Sequence, residues 1–458
     1  MRSIRPMLLV LLFAACTKQS VTIPATPAGK AMIEFLDAYN SADVRSVTAF
    51  FEHHGSGPRA VERAHWVIGF LYPGVRRFVP EEVITSTRDT ITLRGRSDLT
   101  EAWYRFTIEI DSQPPHGVAF GFENDEAPSG WHGRNETTVA YLRRVADADF
   151  FSGAVMIADN DRVLHSGEYG DVKTPETQIN LGSANKMFTA VAIMQLVEQG
   201  RVRLDDSIGK HIPDYPNREA REHVTIRQLL MHTSGVGDFF NEKYMARKKE
   251  IRSLVDLLTL FATDSLEFRP GAKWQYSNGG YVVLGRVIEL VSGMSYEEYV
   301  QRYVFAPAGM TRTSGDAREP YARGHTFMRS DGSIALAREV NDFAVPATGS
   351  PAGGGYSTVG DLVSFARALR AGKLLSNESF ERMITPHSTT DRGTQYGYGF
   401  ELATRDGETV FGHNGHHLGI SAQLDVYRRS GKIVAVLSNY DPPTAPVVAA
   451  QLGRLQSR

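Results

Sequence analysis

The sequence predicts an α+β protein in two units, and three observations predict it. Helical periodicity precedes strand alternation over residues 28–126. The stretch "NDEAPSGWHGRNE" then reads as a connection, with the linker set at residues 127–136. Strand patterns stand at both ends of residues 137–458, with helical patterns between them, as in one antiparallel sheet completed by the two termini of a domain and flanked by a mostly helical region. Acids and bases nearly balance, no run of five like charges occurs, and a single cysteine excludes a zinc-finger pattern, so nucleic acid is set aside as a partner.

The first residues, "MRSIRPMLLVLLFAAC", pair a basic start with an apolar run too short to span a bilayer, followed by small residues. This order resembles a bacterial lipoprotein signal: residues 1–15 would be removed, and Cys16, after Phe13-Ala14-Ala15, would be diacylated. The resemblance implies export and a lipid anchor on a bacterial membrane, facing the periplasm or cell surface, with residues 16–27 as a tether. Amphipathic helices are expected at residues 30–40, 44–53 and 59–71. Strands are expected in "TITLRG", "EAWYRFTIEID" and "HGVAFGFE"; in the second of these Ala102, Tyr104, Phe106, Ile108 and Ile110 alternate with Trp103, Arg105, Thr107 and Glu109. Helices followed by a meander resemble the NTF2-like cone that precedes some secreted serine hydrolases.

In the second unit, "FSGAVMIADNDRVLHSGEYG" reads as a hairpin around Asn160-Asp161. "ETVFGHNG", "ISAQLDVY" and "KIVAVLSN" read as late strands, and a C-terminal helix is expected after Pro446. Between them lies "INLGSANKMFTAVAIMQLVEQG", whose helix is apolar almost all round, as a helix inside a large domain would be. Lys186 stands near its start. A cation there opposes the helix dipole, and a buried ammonium costs several kcal/mol unless compensated. Ser183 lies three residues earlier, on the same helical face. A serine hydroxyl needs a base to become a nucleophile, and a desolvated lysine with a depressed pKa can serve as one. A second S-x-x-K, Ser207 to Lys210, is expected to lack a helix because Gly209 and Pro213 interrupt it.

Ser183-Ala184-Asn185-Lys186, Tyr276-Ser277-Asn278 and His413-Asn414-Gly415, in this order, resemble the three motifs of the serine β-lactamase and penicillin-binding protein superfamily. The match is to class C β-lactamase relatives with S-x-x-K, Y-x-N and H-x-G. "VTIRQLLMHTSG", "PAGGGYSTVGDLVSFARAL" and "YGYGFE" are similar to phrases of that family. The resemblance covers residues 136–458 and implies a β-lactamase-like fold, an acyl-enzyme mechanism and no cofactor. It makes Ser183 the nucleophile, gives Lys186 and Tyr276 its proton, and has Asn278 hold Lys186 and contact substrate. Backbone N–H groups of Ser183 and His416 would form the oxyanion hole, with Asn414 and Gly415 beside the substrate and His413 among the catalytic groups. A tyrosine near cations is expected to ionise below its ordinary value of about 10, and activity to fall below about pH 6 as His413 and the Lys186/Tyr276 pair gain protons.

His413 stands where β-lactamases of this group carry a lysine, which favours an ester or D-amino-acid amide or peptide, small or derived from the cell wall, over a β-lactam. His416 replaces a second glycine found in relatives. His413, His416 and His417 have no acid among them and H-E-x-x-H is absent, so no metal is expected. Gly353 to Gly355 lack a following Walker lysine and read as a turn at the cleft rim. His232 in "MHTSG" reads as a structural hydrogen-bonding residue. The alternative function is a non-catalytic or slowly acylating penicillin-binding-like surface protein.

Overall fold

The computed structural model describes residues 21–456 except 112–116, 129–130, 132, 249, 346–348, 392 and 406. The signal, the lipobox and Cys16 lie outside the described residues. Among those described, no helix is long and apolar enough to cross a membrane.

The first unit opens with α1 (Pro27–Asn40) and α2 (Val44–His53), each started by a side-chain cap, Thr26 on the Gly29 N–H and Asp43 on the Arg45 and Ser46 N–H groups. The third expected helix is α3 (Ala60–Trp66), continued to Leu71 by a wider turn. These helices cover an antiparallel sheet of β1 (Phe78–Ser86), β2 (Thr90–Ser97), β3 (Trp103–Asp111) and β4 (Gly117–Asp125), in sequence order. Phe78 stacks on Phe106 at 4.2 Å between ring centroids, and Phe35 and Tyr39 close over them. Strand β1 was not legible in the sequence: Pro80 and two glutamates hide its alternation, and its register shifts at Pro80 and Glu82. Trp103 is buried between the Arg94 guanidinium and the edge of Trp131. The connecting segment therefore folds back on the sheet, where the Arg134 N–H also donates to Glu101 Oε2 at 2.8 Å.

The second unit is built on an eight-stranded antiparallel sheet. After α4 (Thr138–Asp147) come β5 (Gly153–Ala158) and β6 (Val163–Tyr169), then a helical middle containing α5 (Lys186–Glu198) and α6 (Asn278–Ser292). The chain returns as β7 (Ser388–Thr389), β8 (Gln395–Tyr396), β9 (Glu401–Arg405), β10 (Glu408–His417), β11 (Ile420–Tyr427) and β12 (Ile433–Ser438). The strand order β7-β8-β9-β10-β11-β12-β5-β6 joins the last strand to the first along its whole length, from Ile433 opposite Ala158 to Ser438 opposite Gly153. Both termini thus complete one sheet, as the pattern predicted.

One face of the sheet carries α4 and the last helix, α7 (Thr444–Leu455), through Tyr141, Val448 and Leu452. That helix begins before Pro446 rather than after it, because a proline in the first turn costs no helical hydrogen bond. The other face carries α5, enclosed by Phe305 and Phe365 around Phe188, which explains its lack of a polar side. The helical middle is interrupted by an unexpected hairpin, His325–Met328 with Ile334–Val340. Its Ile334 packs on Gly69 of the first unit, where any Cβ would collide with it.

Candidate active site

A single turn of 3-10 helix, Gly182–Asn185, leads into α5, which begins at Lys186. Ser183 sits half-buried on that turn while Lys186 is 0% exposed. The Lys186 ammonium donates to Ser183 Oγ at 3.2 Å, to Asn278 Oδ1 at 2.6 Å and to the Ala352 carbonyl, and it lies 4.7 Å from the Tyr276 ring centroid. Burial pushes its pKa down to about 7, against the opposing pull of Asp238 and Glu401. The competing S-x-x-K does form one helical turn, Ile208–His211, contrary to the sequence expectation. Backbone pairing of Ile208 with Val224 supports that turn, but Lys210 turns to Asp206 at 2.6 Å and not to a serine.

Tyr276-Ser277-Asn278 enters α6 from a loop, with Ser277 as its N-cap. Asn278 Nδ2 donates to Asp238 Oδ2 at 2.7 Å; a carboxylate only accepts, so this fixes the amide with its oxygen toward Lys186. His232 is buried, and its Nδ1 accepts the Ser277 N–H at 3.1 Å, which agrees with the structural role read from "MHTSG". Its ring also lies 4.4 Å from that of Tyr276. The Tyr276 hydroxyl is buried and, among the described residues, without a partner in hydrogen-bonding geometry, although Ser183 is near enough to favour its ionised form. Desolvation outweighs that effect and holds Tyr276 well above the ordinary tyrosine value. The expectation of an easily ionised tyrosine is therefore reversed, because the site is too dry for a phenolate.

Strand β10 brings its motif to the same place, but its side chains divide between two faces. His413 is 0% exposed and does not line the cleft. Its Nδ1 faces the Asn414 carbonyl, so that nitrogen carries the proton and Nε2 accepts from the Tyr396 hydroxyl at 3.0 Å. Burial lowers its pKa to about 3. His413 therefore does not gain a proton near pH 6, and its contact with the cleft runs through Tyr396. Asn414, on the other face, gives its Nδ2 to both oxygens of Glu401, at 2.7 and 2.8 Å.

Gly415 packs directly on the Ser183 turn: a Cβ there would lie 1.8 Å from the Leu181 carbonyl oxygen. A Cβ on Gly182, which has a φ of 48°, would approach the His416 nitrogen at 3.0 Å. These two glycines let the strand segment carrying His416 pack against the turn that carries Ser183.

The groups open into a cleft of about 1140 Å³, walled by Phe239, Phe240, Trp274, Tyr396 and His416. The sequence reading missed Asp238, although it follows the "HTSG" phrase closely, and gave no role to Tyr396 or Glu401 within "YGYGFE". Elsewhere among the described residues, Glu34, His53 and His54 gather on the first unit, away from this cleft.

A family model described as Beta-lactamase matches residues 140–457. The chain belongs to the beta-lactamase family. Penicillin-binding protein 4* of Bacillus subtilis (strain 168) is 29% identical over 318 residues, 64% of this chain and 69% of that protein. A penicillin binding protein from Bacillus halodurans has a similar structure, with a TM-score of 0.61 and 29% identity over 69% of this chain and 98% of its own. A D-stereospecific amidohydrolase from Streptomyces sp. gives a TM-score of 0.58 at 27% identity, over 67% of this chain and 94% of its own. This beta-lactamase-family chain is thus similar to penicillin-binding proteins and to a D-stereospecific amidohydrolase; its first unit lies outside the family match.

Proposed function

We propose that this protein is an acyl-enzyme serine hydrolase acting on an ester or a D-amino-acid amide or peptide. The observation that carries the reading is an enclosed amine, Lys186, 3.2 Å from Ser183 Oγ with a pKa brought to about 7. Near neutral pH a large share of it is uncharged and can take the serine proton. Ser183 Oγ then bonds to the substrate carbonyl carbon, and the backbone N–H groups of Ser183 and His416 stabilise the oxyanion, an effect worth about 3 to 4 kcal/mol per donor in other enzymes. Asn278 holds the ammonium that forms. Tyr276, kept protonated by burial, passes a proton to the leaving oxygen or nitrogen as its bond to carbon breaks and takes one in turn from the Lys186 ammonium, so no phenolate persists. Water then attacks the acyl-serine and gives a proton through Tyr276 to Lys186; the bond from Ser183 Oγ to carbon breaks, Oγ takes that proton back from Lys186, and the acid product leaves.

The neutral, inward-facing His413 offers no cation for a β-lactam carboxylate, and the Streptomyces relative is a D-stereospecific amidohydrolase; both support an ester or D-amide substrate. We further propose export with a lipid anchor at Cys16, a cell-wall-derived substrate, and an NTF2-like first unit that holds the hydrolase off the membrane. A fluorophosphonate probe is expected to label Ser183, and Ser183→Ala to abolish labelling without loss of fold; labelling at Ser207 would overturn the assignment. Turnover is then compared on a p-nitrophenyl ester, a cephalosporin and a D-alanyl peptide. Clean labelling with no turnover in that panel would favour the slowly acylating surface protein.

A further inference from the structure

We infer that Glu34, His53 and His54 form a binding site for a divalent transition metal such as zinc on the first unit, independent of the hydrolase reading. Glu34 lies on α1, His53 ends α2, and His54 follows it. His54 Nε2 stands 2.9 Å, and His53 Nδ1 3.4 Å, from the same oxygen, Glu34 Oε2. One ligand atom from each residue lies within 4.8 Å of the other two. In a tetrahedral zinc site with bonds of about 2.1 Å, ligand atoms stand about 3.4 Å apart. The spacing of His53 and Glu34 already meets that value, and a shift of about half an ångström would bring His54 to it.

The surroundings suit an ion better than a plain pair of hydrogen bonds. The His53 side chain is 72% exposed, so water could satisfy its ring. Holding it toward Glu34 costs rotamer freedom that one exposed contact offsets poorly, whereas an ion shared by three ligands would offset it. His54 is the fixed ligand: its ring packs 4.6 Å from that of Phe50, which sits against Phe35 in the core. Among the described residues Glu34 pairs with no lysine or arginine, so its charge faces the two imidazoles. Two imidazoles and one carboxylate favour zinc over magnesium or calcium, which take oxygen ligands. Three protein ligands leave a position for water, and the exposed side gives the ion its way in. Sequence spacing hides the site, because Glu34 precedes His54 by 20 residues and only the packing of α1 on α2 brings them together.

The full chain, purified without a histidine tag and stripped of metal by a chelator, is titrated with zinc chloride by calorimetry and melted with and without it. The wild-type protein should bind one zinc ion per chain and melt at a higher temperature in its presence. Magnesium chloride should do neither. Glu34→Gln and His53→Gln change exposed side chains, so the fold should survive both. Each should weaken zinc binding at least about tenfold and shrink the rise in melting temperature. Unchanged affinity in both variants would place the ion elsewhere in the chain. That result, equal binding of magnesium, or no zinc binding by the wild-type protein would each overturn the inference.

Discussion

Lys186 answers the puzzle that the sequence poses at the head of an apolar helix. Its three hydrogen-bond acceptors, Ser183, Asn278 and the Ala352 carbonyl, compensate the ammonium only in part, so the folded state prefers the neutral amine. The folded pKa is about 7 against an ordinary 10.5. The stability penalty is absent above 10.5, grows as pH falls, and is complete below about 7. Chemical denaturation of wild type and Lys186→Met should therefore differ by an amount that shifts in favour of methionine by up to ~1.4 kcal/mol per pH unit across that window. A difference independent of pH between 7 and 10 would show that the amine keeps its proton. The lysine was legible because its position breaks a helix rule with no structural gain. The inward turn of His413 was not, since motif spacing carries no information about which side of a strand faces the cleft.

The site depends on how three elements meet: the turn before α5, the loop before α6, and the end of β10. The local signals for each were readable, in Ser183 to Lys186 before an apolar helix, Tyr276 to Asn278 before a second helix, and His413 to Gly415 at the end of a strand pattern. The supports between them were not, because Asp238 and Glu401 reach the site across distances that sequence spacing does not encode. Asp238 fixes the Asn278 amide and, as a nearby anion, raises the Lys186 pKa. Asp238→Asn keeps an acceptor for Asn278 but removes the charge. Its acid limb in the pH dependence of Ser183 acylation should move to lower pH than in the wild-type protein. An unchanged or higher midpoint would mean that Asp238 acts on Lys186 by position alone.

Across the whole molecule, the pairing of β12 with β5 makes the sheet, and hence the β10 wall of the site, depend on both ends of the second unit. Strand patterns at both ends of the unit predicted that closure. The sequence underestimated the contact between units. Trp131 covers Trp103, Ile334 meets Gly69, and the Arg76 side chain donates to the Asp149 carbonyl at 2.8 Å. Trp131 reads as linker and Gly69 as part of a helix, and neither reading carries a signal of the partner it meets. The chemistry still converges on one proton, and the full chain reports on it directly. The deciding measurement is the rate of Ser183 labelling by a fluorophosphonate from pH 5 to 10. A midpoint near 7, with the rate falling about tenfold per pH unit below it, is the expected result. A flat profile, or a rise only near the ordinary lysine value, would contradict a neutral Lys186 as the base.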